Sequence, residues 1–193
     1  MNSVPAEVVA EGRSKAPFRI SRRRWRRLLS ELERRGQGRR ESGAFLLAGR
    51  DRAPDRVVCV AYYDDLDAHC LTGGISFATS GFTELWRVCE SENLRVVSDA
   101  HTHPGTWVEQ SGIDAANPMI ARVGHVAMIV PSYGVARSVE ECGVHIYLGS
   151  KQWLPVSADE AGAVVGVYGI FTLEQVEDWW FALKWPLLRR GPT

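Results

Sequence analysis

Between Asp99 and Asp114 the chain reads Asp-Ala-His-Thr-His-Pro-Gly-Thr-Trp-Val-Glu-Gln-Ser-Gly-Ile-Asp, and this stretch limits the fold more than any other. Side chains alternate along a strand, so His101 and His103 lie on the same side of any extended segment. The run from Leu94 to Ser98 is expected to be that strand, and Pro104 ends it. After a short Gly-containing loop, Ser111 and Asp114 share one face of a first helical turn, with Ser111 or Gly112 near its N-cap. Two imidazoles and a carboxylate, drawn from a strand end and a nearby helix start, make three ligands with a fourth position open. Catalytic zinc sites have this composition, whereas structural ones are usually closed by cysteines. A fold that serves this stretch must therefore set the strand end beside the helix start.

His101-Thr-His103-Pro104, then six residues, then Ser111-x-x-Asp114 resembles the JAMM motif of the JAB/MPN metallopeptidases. That family removes ubiquitin-like proteins from their conjugates. It also uses a Glu well upstream, and Glu41-Ser-Gly-Ala-Phe-Leu-Leu-Ala-Gly is similar to the corresponding stretch. The resemblance runs over roughly residues 20 to 157 in order of elements. It implies an α+β (α/β-like) chain with the cytidine-deaminase-like JAB/MPN fold, a mixed central β-sheet flanked by helices. It further implies a zinc-dependent isopeptidase or peptidase that cleaves after the C-terminal tail of a ubiquitin-like protein. One Zn2+ per chain is the implied cofactor. The implied partners are the ubiquitin-like protein or its conjugate, with E1-like and E2-like enzymes nearby, as in bacterial ubiquitination-like or antiviral operons. Processing of a sulfur-carrier protein is an alternative within the same chemistry. The segment from Asp114 to His125 has no room for the long insertion of eukaryotic members, which points to a bacterial type.

Roles follow for single residues. Zinc on His101, His103 and Asp114 would hold a water and lower its pKa to about 7. Glu41 is the candidate base that takes the water proton; alone it would read as a solvated residue beside Arg39 and Arg40. Ser111 is expected to donate its hydroxyl to the oxyanion, a role compatible with capping the helix. Asp99 resembles the acidic residue found before the pair in many bacterial members. It suits either an acceptor for a ligand imidazole or a partner for a backbone N–H. Trp107 is expected as a wall of the substrate groove, and Glu109 as a solvated loop residue or substrate contact. His69, His125 and His145 have no motif around them and read as structural or surface residues. Cys59 and Cys142 fall in strand patterns and read as buried thiols.

The 193 residues suffice for one core of ordinary size, with Lys+Arg and Asp+Glu equal at 23 each. Balanced charge argues for neither nucleic acid nor an acidic partner. The arginines are unevenly placed, however: Arg22, Arg23, Arg24, Arg26, Arg27, Arg34, Arg35, Arg39 and Arg40 make residues 22 to 40 basic. A nucleic-acid-associated module is the second reading this stretch supports, although an Arg-covered helix face is usually just solvated. The four cysteines, Cys59, Cys70, Cys89 and Cys142, are scattered without a C-x-x-C pair, so a reducing cytoplasm fits. No run approaches a membrane span in length, and no secretory signal is visible.

Three divisions are expected: a leader over 1–18, the metallopeptidase domain over 19–158, and a Trp-rich helical extension over 159–193 packed on the same domain. Ser21 should cap a helix with Trp25, Leu28, Leu29 and Leu32 on its apolar face, ending near Gly36. Strands are expected at Ala44 to Ala48, Arg56 to Tyr63 and Gly74 to Ala78, with a polar loop between the last two. Ser80 should open a second helix that buries Phe82, Leu85, Trp86 and Cys89. A helix from Gly112 to about Ala121 follows the metal strand, then strands at His125 to Val130, Val144 to Leu148 and Trp153 to Val156. A helical crossover between Gly74–Ala78 and the metal strand leaves room for parallel pairing. Thr172 and Gln175 form a capping box ahead of a stripe of Leu173, Val176, Trp180 and Leu183, best read as a helix docked on the core.

Overall fold

A computed structural model describes residues 17–169. The stripe of Leu173 to Leu183 and most of the leader lie outside these residues. The central sheet has six strands in the order β3-β2-β4-β5-β6-β7. They are β2 (Gly43–Gly49), β3 (Val57–Tyr62), β4 (Leu94–Thr102), β5 (Val126–Val130), β6 (Gly143–Gly149) and β7 (Gln152–Val156). All neighbours are antiparallel except β4 and β5. The sheet is mixed and helices cover both faces, as expected from the sequence.

Side-chain alternation explains why both faces are buried. On β2, Ala44, Leu46 and Ala48 join one core and Phe45 and Leu47 join the other. The first core is closed by α1 (Arg22–Gly36), whose Trp25, Leu28 and Leu32 are buried. Each such side chain contributes about 1.5–3 kcal/mol by leaving water. Ser21 caps α1 by accepting from the Arg24 N–H, and Gln37 ends it in the left-handed region. The second core lies under α2 (Tyr63–Leu66) and α3 (Thr79–Ser91), where Tyr63, Leu85 and Cys89 pack on Phe45 and Leu47.

Several local expectations are corrected. Gly74 to Ala78 forms no strand; the backbone there closes on itself, with Ser76 N–H donating to Cys70 O and Ala78 N–H to Asp67 Oδ2. Parallel pairing arises instead between β4 and β5, across a crossover containing α4 (Gly112–Ala116). That helix ends at Ala116 with Asn117 as its cap, well short of Ala121. Pro118 follows, and a residue before proline is driven out of the α region. The α3 helix starts one residue before Ser80, and it buries Gly81, Leu85, Val88 and Cys89 while Trp86 stays 47% exposed. Trp86 falls beside the stripe of four, one position past Leu85.

A second, two-stranded sheet joins the chain's described ends: β1 (Phe18–Ser21) runs parallel to β8 (Val165–Tyr168). The α5 helix (Ala158–Val164) leads into β8, and Ala161, Val165, Phe18 and Ile20 belong to the core under α1. No helix among the described residues is long and apolar enough to cross a membrane.

Candidate metal centre

The β4 strand carries Asp99 and His101 on the α3 side of the sheet, and the chain continues extended to His103. Two ladders hold this end. His103 N–H donates to Val130 O of β5 at 3.0 Å, and Thr102 N–H donates to Ser42 O at 2.9 Å. Ser42 N–H returns a bond to Thr102 Oγ1 at 3.0 Å, and its hydroxyl donates to Leu32 O at 2.7 Å. Ser42 is therefore tied to both α1 and β4, which fixes Glu41 beside the metal strand. Position 43 must be glycine here, since a Cβ would stand 2.2 Å from the Tyr63 ring.

The α4 helix supplies the third group. Ser111 Oγ accepts from Asp114 N–H at 3.1 Å, and Asp114 Oδ2 accepts from Ser111 N–H at 3.0 Å, a capping box. Trp153 of β7 donates from Nε1 to Ala115 O at 3.2 Å and so anchors the helix to the sheet edge.

These elements bring His101, His103 and Asp114 together. His101 Nε2 and His103 Nε2 are 3.3 Å apart; Asp114 Oδ2 lies 3.3 Å from His103 Nε2 and 3.7 Å from His101 Nε2. Atoms bound tetrahedrally to zinc at about 2.0–2.1 Å stand about 3.3 Å from each other, so the triangle suits one small cation. Among the described residues, these three form a group able to hold a metal ion.

The electrostatics agree. Burial opposes ionisation of Asp114, yet hydrogen bonds from His101, His103 and Ser111 hold its carboxyl far below the usual carboxylate range. Burial would lower the His103 imidazole, but the adjacent Asp114 outweighs it and the pKa rises. Glu41 feels the same cluster: burial raises its pKa, and the His101 and His103 rings pull against that rise. The carboxylate is partly buried, with Oε2 beside Gly74.

The remaining candidates fall into place differently. Trp107 is 51% exposed and stacks on His103, with ring centroids 5.2 Å apart and planes inclined by 19°. Its carbonyl also accepts from His103 Nδ1 at 3.2 Å. Glu109 is exposed on the same loop. Asp99 meets neither of its two expected partners. Its oxygens go to His125 Nε2 at 2.6 Å and to the Tyr63 hydroxyl at 3.3 Å, all buried. His125 and His145 are core residues, and His145 reaches the loop carbonyl of Val108. No motif marked Tyr63, Gly143 or His145 in the sequence. The alternation of Gly143 and His145 along one strand was the available signal. On the basic stretch, Arg24 donates to Val57 O and Val58 O, while Arg35 pairs with Asp64 and Asp65, so part of that charge holds the fold together.

No protein-family model matches the chain. Among solved structures it is similar to a protein of Desulfitobacterium hafniense, with a TM-score of 0.55 and 16% identity over 83% of this chain and 97% of the other. The likeness shows a shared fold. A protein of Salinibacter ruber is similar at a TM-score of 0.50 and 14% identity, over 72% of this chain and 89% of that one. A JAB1/MPN domain protein of Archaeoglobus fulgidus is similar at 16% identity over 72% of this chain and 95% of that one. Its TM-score of 0.38 is too low to carry weight.

Proposed function

We propose that this chain is a JAB/MPN-type zinc metallopeptidase that hydrolyses the bond after the C-terminal tail of a ubiquitin-like protein. The observation that carries this reading is the convergence of His101, His103 and Asp114 at zinc-ligand spacing, with Glu41 electrostatically coupled to all three. In this assignment the two imidazoles and Asp114 Oδ2 would hold the ion, which when bound would supply Lewis acidity and a water activated near neutral pH. Glu41 takes the water proton during attack and returns it to the leaving amine, and its raised pKa suits both halves of that transfer. The Ser111 hydroxyl accepts from Asp114 N–H and keeps its own proton for the oxyanion on the scissile carbonyl. One donor of this kind is worth about 3 kcal/mol in the transition state. A peptide tail with small terminal residues, adding as a strand near the site, is the substrate form that suits this chemistry.

Glu41→Gln tests the assignment. Zinc content should match that of the unmodified chain, while cleavage of a ubiquitin-like fusion should be abolished. Full cleavage by the Gln variant would remove Glu41 from the chemistry.

A further inference from the structure

Two consecutive carbonyls in the loop between His103 and Ser111 are each held by an imidazole. Trp107 O accepts from His103 Nδ1 at 3.2 Å, and Val108 O accepts from His145 Nε2 at 3.1 Å. His145 lies on β6, opposite Ala127 of β5 and Pro155 of β7, and is 6% exposed. It is outside the ligand group.

A carbonyl oxygen only accepts, so the proton must sit on Nδ1 of His103 and on Nε2 of His145. Burial lowers the His145 pKa, which leaves a neutral ring with its one proton committed to Val108. The bond from Nδ1 leaves Nε2 of His103 as the ring atom that faces His101 and Asp114. The loop approaches β6 this closely because residue 143 is glycine: a Cβ there would lie 1.8 Å from Val108 O.

We propose that His145 is a positioning residue for the metal centre. By holding the Val108 carbonyl it fixes the neighbouring Trp107 peptide, whose carbonyl and ring together hold the His103 ring with Nε2 turned toward His101 and Asp114. The assignment rests on the metal reading above and adds a residue to it. Groups that orient a ligand imidazole typically change metal affinity 10- to 100-fold when removed.

The test is nitrogen NMR of the histidine rings in the full chain, free of metal, followed by zinc titration against a competing chelator. In the unmodified chain His145 should be the neutral Nε2–H form and His103 should carry a hydrogen-bonded proton on Nδ1. His145→Leu should loosen the hydrogen bond of the His103 Nδ1 proton, read as a shift of its Nδ1 resonance, and weaken zinc binding by about tenfold. His145→Gln, whose amide nitrogen reaches a similar point, should restore both. A His145 protonated on Nδ1 in the unmodified chain overturns the assignment without any variant having to fold. Equal zinc affinity in the unmodified and Leu chains overturns it alone. Absence of zinc uptake by the unmodified chain overturns both this assignment and the proposed function.

Discussion

Asp99 and His125 face each other across the parallel β4–β5 pair, Oδ1 to Nε2 at 2.6 Å, with side chains 3% and 0% exposed. The contact lies two residues before the candidate ligand His101 on β4, and the Tyr63 hydroxyl closes its other side. It joins α2, β4 and the residue that leads into β5, at the level where the strand must present His101.

Removing one partner of a buried polar pair typically costs about 3–5 kcal/mol, because the other is left stranded. His125→Leu should therefore lower the unfolding free energy measured in urea by an amount in that range. Tyr63→Phe, which removes a single longer bond, should cost about 1 kcal/mol. The double change Asp99→Leu with His125→Leu should recover part of the loss, since it leaves only the Tyr63 hydroxyl without its partner. A loss in the double variant equal to the sum of the two single losses would show that the residues act separately.

The four thiols make a pH prediction. Burial pushes Cys59, Cys70 and Cys142 up to about 12 and Cys89 to about 11, and Tyr62 to about 12. A free thiol titrates near 8.5 once the chain unfolds. The folded protein then binds more protons than the unfolded one above that pH, so stability is full below about 8.5 and falls as pH rises toward about 12. Thermal melts from pH 7 to 10.5 should show a steady decline above the lower value. All four cysteines should also resist alkylation at pH 8 until denaturant is added.

Gly43→Ala should be costly although the residue lies in ordinary extended backbone. Its Cβ would meet three Tyr63 ring atoms at 2.2, 2.6 and 2.9 Å. Overpacking of a filled core costs about 1–3 kcal/mol, and here the strain falls two residues from Glu41. Denaturation should show the loss, and zinc content should persist because no ligand lies on β2.

Much of the centre was legible in the sequence because its signal is local. His101 and His103 share a side by strand alternation, and Ser111 and Asp114 share a helical turn through a capping box. Glu41 was reachable only through its family-like surroundings, since its closeness depends on Ser42 pairing with Thr102 across a gap of 60 residues. The same limit explains the misses. Asp99 was given the right side of the strand but the wrong partners, because His125 and Tyr63 reach it from other elements. Gly74 to Ala78 has the length and composition of a strand, yet the Asp67 carboxylate draws its backbone into a loop. The β1 and β8 strands stabilise each other, and neither has enough alternation to be recognised alone.

The central claim is that His101, His103 and Asp114 share one divalent ion, and zinc titration of purified metal-free chain tests it most directly. The account predicts saturation at one ion per chain, release of protons on binding, and weaker binding as pH falls through the raised His103 pKa. Asp114→Asn should abolish tight uptake while the chain stays folded. An unmodified chain that takes up no zinc at neutral pH, or an Asn variant that binds it equally well, would contradict the account.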